Sequence, residues 1–129
     1  MVNVFVQDND RDIMEVISFA LMSEGFRVFA IDRLDNTTLE QLETFRPDIV
    51  LLDYHINGHT AIPMLKLIKE NFPQLPVIAM SCNSDIERDA AEFGFDGYLK
   101  KPFDLKTIFS LIRKVPQKAK VGEPAFLQG

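Results

Sequence analysis

Asp53 closes a four-residue apolar run, Ile49-Val50-Leu51-Leu52, and other polar residues sit at matching places along the chain. Asp8, Asn9 and Asp10 follow Val4-Phe5-Val6 almost at once. Ser81 closes Val77-Ile78-Ala79-Met80, and Lys101 follows Tyr98-Leu99-Lys100. Carboxylates can attack as nucleophiles or bind a hard cation through oxygen, and an ammonium offers a point charge to an anion. Each position also has a plainer reading. Asp8-Asn9-Asp10 is equally an N-cap and a turn, Ser81 a polar strand terminator, and Lys100 and Lys101 a solvated pair. His55 and His59 stand four apart in a Gly-containing segment, not on a helix face, and read as loop residues rather than metal ligands. Cys82 reads as a small, buried or half-buried filler.

The elements that must position these groups follow from periodicity. The Ile49–Leu52 run is too short for a helix. Branching at Ile49 and Val50 makes it a strand buried on both faces, as in a parallel sheet. Ligands of open α/β sheets bind beyond the carboxyl ends of the strands, so an acid directly after such a strand is placed for chemistry. Ile13, Val16, Ile17, Ala20 and Leu21 make one apolar helical stripe, with Gly25 as its C′ residue. Phe26 to Ile31 is a second strand. Thr37 with Glu40, and Ser84 with Glu87, have the spacing of capping boxes. A loop, Tyr54 to His59, leads into a helix that tolerates Pro63 only near its first turn. Ile86, Ala90 and Phe93 face inward along the next helix, and Asp104 caps a last helix with stripe Leu105, Ile108, Phe109 and Ile112.

Five strands thus alternate with five helices, which predicts an α/β fold with a parallel sheet and helices on both faces. The pattern makes residues 1–115 one domain. It fails from Pro116 onward, so residues 116–129 read as a loose tail or the stub of a linker. Of the two common doubly wound orders, the flavodoxin-like one places the first strand beside the third. Asp8 and Asn9 then sit next to Asp53, with Ser81 and Lys101 on neighbouring strand ends.

The totals narrow the function. The net charge of −5 argues against unspecific nucleic-acid binding, which needs basic patches. No apolar run approaches the ~20 residues that span a membrane, and the start lacks the pattern of a signal peptide. One cysteine, Cys82, permits no internal disulfide and fits a cytoplasmic location.

Asp8-Asn9, Leu52-Asp53, Met80-Ser81 and Tyr98-Leu99-Lys100-Lys101-Pro102-Phe103 together resemble the receiver domain of bacterial two-component response regulators, of chemotaxis-regulator type. The resemblance runs from about Asn3 to Val115. It implies a flavodoxin-like (βα)5 sandwich with five parallel strands in the order 2-1-3-4-5. It also implies a phosphorylation-dependent switch, with Asp53 accepting a phosphoryl group from a histidine kinase or phosphotransfer protein. Asp8, Asn9, Asp53 and the backbone carbonyl of His55 would hold a magnesium ion, while Lys101 and Ser81 would bind phosphoryl oxygens. The resemblance further implies a cis peptide between Lys101 and Pro102. Ser81 and Tyr98 would form the switch, acting on a face of the fourth helix, fifth strand and fifth helix where an effector or a second copy could dock. No enzymatic activity is expected beyond magnesium-dependent self-phosphorylation and dephosphorylation at Asp53.

The chain departs from the family at Asn9, where an acid is usual. It also has Asn57 where Pro is common, Ala61 where Gly is common, and Cys82 where Ala or Gly is usual. Asn9 favours a competing reading, a degenerate receiver that binds partners without phosphorylation. Retention of Asp53, Ser81 and Lys101 together favours the switch. A flavodoxin-type cofactor protein would want a hydroxyl- and Gly-rich first loop with free N–H groups, not the acids found here.

Overall fold

The computed structural model describes residues 1–56, 58–115 and 127–128. Strands β1 (Asn3–Gln7), β2 (Arg27–Ile31) and β3 (Ile49–Asp53) alternate with helices α1 (Arg11–Ser23) and α2 (Thr38–Phe45). A hairpin of two-residue strands, β4 (His55–Ile56) and β5 (His59–Thr60), leads into α3 (Ile62–Asn71). Then come β6 (Val77–Ser81), α4 (Ile86–Phe93), β7 (Gly97–Lys100), α5 (Leu105–Arg113) and β8 (Leu127–Gln128).

The main sheet is parallel and runs β2-β1-β3-β6-β7-β8. Its first five strands are the five predicted ones, in the flavodoxin-like order. Of residues 116–129, predicted as tail or stub, only Leu127–Gln128 are described, and they pair beside β7 as a sixth strand. The predicted loop Tyr54 to His59 contains the β4–β5 hairpin, which two-residue strands leave no periodicity to announce.

Alternation along buried strands sorts the core into two layers. Val4, Val6, Leu51, Ile78 and Met80 pack with α1 and α5. Phe5, Val50, Leu52, Val77 and Ala79 pack with α2, α3 and α4. The stripe of α1 is wider than the face the sheet covers. Ile17 and Leu21 are buried, but Ile13 and Val16 are exposed, as are Phe19 and Met22. Phe93 of α4 and Leu105 of α5, predicted inward, are also exposed because they sit at the margins of their stripes.

Helix ends show which capping signals act. Asp10 caps α1 by accepting from the N–H groups of Asp12 and Ile13, and Asp104 caps α5 through Thr107. Gly25 and Gly94 take positive φ after α1 and α4, as Cβ-free C-terminal residues can. Neither predicted capping box forms. Thr37 makes no side-chain cap bond; Asp35 instead accepts from the Thr37 N–H and hydroxyl, while the Thr38 hydroxyl accepts from the Asp35 N–H. At α4 the N-cap is Asp85, one residue after Ser84.

Candidate functional site

The carboxyl ends of β1, β3, β6 and β7 meet at one rim. Gln7 lies opposite Leu52, Asp53 opposite Met80, and Ser81 opposite Lys100. This register delivers Asp8, Asp53, Ser81 and Lys101 to adjacent positions. All but Lys101 are buried, and the Lys101 side chain is only 18% exposed. The Lys101 Nζ lies 2.7 Å from Asp8 Oδ2 and 3.6 Å from Asp53 Oδ1. The Lys101–Pro102 peptide is cis, as expected, and the Lys101 N–H donates to the Ser81 carbonyl at 2.8 Å.

Each Asp8 oxygen has one partner: Oδ1 accepts the Asp10 N–H at 2.9 Å and Oδ2 faces Lys101, which leaves lone pairs on both. The Asn9 N–H donates to the Asp53 carboxylate, while Asn9 itself is exposed. Asp10 points its carboxylate at the start of α1. Of the two residues expected to form a switch, Ser81 Oγ accepts the Asn83 N–H at 3.0 Å, and the Tyr98 hydroxyl donates to Glu87 Oε2 at 3.3 Å. His55 and His59 are exposed on the hairpin, and Cys82 is exposed rather than buried, since it lies just beyond the strand on the rim.

Periodicity passed over one residue. Gln7 is buried, its Oε1 accepts the Asp53 N–H at 3.3 Å, and its Nε2 donates to the Asp32 carbonyl at 3.3 Å. It ties the Asp53 backbone to the neighbouring strand end. The available signal was an amide side chain within an otherwise apolar buried strand.

Burial pushes the Asp53 carboxyl above the ordinary range. Lys101 opposes this shift, the Asp8 charge adds to it, and the Asn9 N–H opposes it. Burial alone would lower Lys101, but its hydrogen bond to Asp8 and the charges of Asp53 and Asp8 outweigh that and raise it. Lys101 therefore remains an ammonium, and one cation faces two buried carboxylates. The remaining negative charge and the oxygen donors suit a hard divalent cation. No group of three or more His, Cys, Asp or Glu side chains converges for a metal among the described residues, so such an ion would also draw on Asn9 and backbone oxygen.

The family model for the response regulator receiver domain matches residues 4–113. The chain belongs to that family. As a receiver domain of two-component response regulators, it is similar to the DNA-binding transcriptional regulator NtrC of Proteus hauseri, at 36% identity over 114 residues. That match covers 87% of this chain and 24% of NtrC. It is also similar to the transcriptional regulatory protein KdpE of Escherichia coli, at 30% identity, covering 88% of this chain and 50% of KdpE. The receiver chain thus spans about a quarter of the NtrC relative's length and half of KdpE's. Among solved structures, the chemotaxis protein CheY4 of Vibrio cholerae superposes with a TM-score of 0.79 at 19% identity, over 90% of this chain and 99% of that one. TrrA of Thermotoga maritima, solved in complex with Mg(2+)-BeF, gives 0.76 at 20% identity, over 88% and 98%. These two likenesses show the shared fold.

Proposed function

We propose that Asp53 is the phospho-acceptor of this receiver. One carboxylate oxygen attacks the phosphorus of the donor. The bond from phosphorus to the leaving group breaks, its electron pair departs with that group, and an acyl phosphate forms. The carrying observation is the 3.6 Å separation of Lys101 Nζ from Asp53 Oδ1 at a buried strand end. Lys101 neutralises an incoming phosphoryl oxygen, and Gln7 and the Asn9 N–H hold the nucleophile in place. Ser81 supplies a hydroxyl to a second phosphoryl oxygen. Phosphoryl transfer needs such positioning and charge neutralisation more than covalent help. Asp8, Asn9, Asp53 and the His55 carbonyl would hold a magnesium ion, which when bound supplies further neutralisation of phosphoryl charge.

The phosphodonor is a histidine kinase or phosphotransfer protein of the cytoplasm. The exposed Ile13 and Val16 of α1, with Phe103 and Leu105, line a groove of about 970 Å³ that reaches Lys101 and gives the donor an apolar seat. No helix among the described residues is long and apolar enough to cross a membrane. The output face is α4, β7 and α5, where an effector or a second copy docks, and Asp53 self-phosphorylation and dephosphorylation are the only reactions. The reading is tested by treating the chain with acetyl phosphate and magnesium, reducing with borohydride and mapping peptides. Conversion of Asp53 to homoserine is expected; conversion elsewhere, or none, contradicts it.

A further inference from the structure

Gln7 ends β1 after the apolar run Val4-Phe5-Val6 and is fully buried. A buried amide must find partners or it destabilises the fold. The register partners of Gln7 are Ile31 on β2 and Leu52 on β3, and both ladders end there. Its side chain reaches one residue further on each strand. Oε1 accepts the Asp53 N–H and Nε2 donates to the Asp32 carbonyl, each at 3.3 Å. Only one of the two amide orientations serves an N–H and a carbonyl in this way. Gln7 thus adds one rung to both ladders, built from a side chain at the point where β1 ends.

The rung acts on Asp53 through its backbone. The Tyr54 N–H donates to the Met80 carbonyl at 2.8 Å, which fixes the following peptide from β6. The Asp53 N–H is held from the other side by Gln7. Of these two ties, the Gln7 bond is the one that a side-chain substitution removes. The carboxylate then stands 3.6 Å from Lys101 and takes the Asn9 N–H. At 3.3 Å neither amide bond is short, so the pair contributes direction more than strength. In-line attack depends steeply on direction, and a small misplacement of a reacting oxygen lowers the rate many-fold. The Asp32 end makes β2, the edge strand farthest from Ser81 and Tyr98, part of this support.

We propose that Gln7 is a positioning residue: its amide ties the Asp53 backbone to the end of β2 and so sets how fast Asp53 takes a phosphoryl group. The inference rests on reading Asp53 as the phospho-acceptor. The experiment follows phosphoryl uptake by the full chain from acetyl phosphate and magnesium over a range of donor concentrations, with rates taken per folded molecule. Gln7→Met keeps the length without the amide. Gln7→Asn keeps the amide but is one methylene short of spanning both partners. Val28→Ala, on β2 and partly buried against the α1 layer, loosens the same edge and leaves the amide alone. Both Gln7 variants should show the wild-type dependence on donor concentration scaled down about tenfold. In each, the Asp53 amide should exchange about tenfold faster while that of Leu51 does not. Val28→Ala should keep the wild-type rate. Wild-type rates in either folded Gln7 variant overturn the proposal, as does an equal fall in Val28→Ala, which makes the effect one of general loosening. A curve displaced to higher donor concentration with an unchanged plateau also overturns it, since that is loss of donor binding. If the wild-type chain takes up no phosphoryl group on Asp53, the phospho-acceptor reading fails and the rung fails with it; the other outcomes leave that reading standing.

Discussion

Asn9 is the residue whose identity matters most for its size. The family resemblance assigns it a metal-ligand position, with a carbonyl oxygen in place of a charge, and the neighbouring Asp8 is engaged by Lys101 at 2.7 Å. Two unit charges ~4 Å apart are worth about 4 kcal/mol at an effective dielectric near 20, and a divalent ion doubles that. Mutual repulsion of three clustered carboxylates cancels most of the gain. Asn9→Asp should therefore tighten magnesium binding by roughly tenfold, the equivalent of ~1.4 kcal/mol. Calorimetric titration of wild type and variant checks this, and no gain would refute the assigned ligand position.

Asp53 yields a second prediction at this scale. Its folded carboxyl is raised by burial, so the folded state binds that proton more tightly than the unfolded chain. The stability tied to this proton is complete below the ordinary carboxylate value of ~3.9 and is lost as pH rises through the folded value. At neutral pH the charged Asp53 costs stability, and Asp53→Asn should raise the melting temperature by about 4 °C, the shift that roughly 1 kcal/mol produces at this size. The advantage should shrink as pH falls toward ~4. An advantage that grows on acidification contradicts the burial account.

Among the elements, the return from α3 to β6 is held by one carboxylate. Asp96 pairs with Lys69 and accepts the Val77 N–H at 2.8 Å, while Lys69 also donates to the Leu75 carbonyl. Asp96→Ala leaves an N–H and a partly buried ammonium without this partner, and should cost about 2–3 kcal/mol in denaturant unfolding. The expected switch residues lie on β6 and β7, with Ala79 opposite Tyr98 two residues before Ser81. Ser81→Ala should abolish the phosphorylation-dependent backbone NMR shifts of α4, β7 and α5; their survival would remove Ser81 from the coupling. Element types were legible because long apolar runs and 3.6-residue stripes report burial directly. Their margins were not: α1 shows the same stripe whether or not a neighbour covers Ile13 and Val16. Capping boxes failed for a related reason, since Asp35 and Asn83, just upstream, offered competing acceptors to the same turns.

For the molecule as a whole, strand order was legible because few topologies bring four polar strand ends to one rim. The structure brings Asp8, Asp53, Ser81 and Lys101 together at the rim, with pairings that spacing did not give. Sequence spacing placed Asp8 and Lys101 near Asp53, yet only three-dimensional packing shows that Lys101 sits closer to Asp8 than to Asp53. Gln7 and β8 escaped notice because a single amide and a two-residue strand leave no periodicity. The account as a whole depends on Asp53 being the one nucleophile at this rim. Intact mass of wild type and Asp53→Asn, each treated with acetyl phosphate and magnesium, tests this most directly. The wild-type chain should gain the mass of one phosphoryl group and the variant none; equal uptake by both would contradict the account.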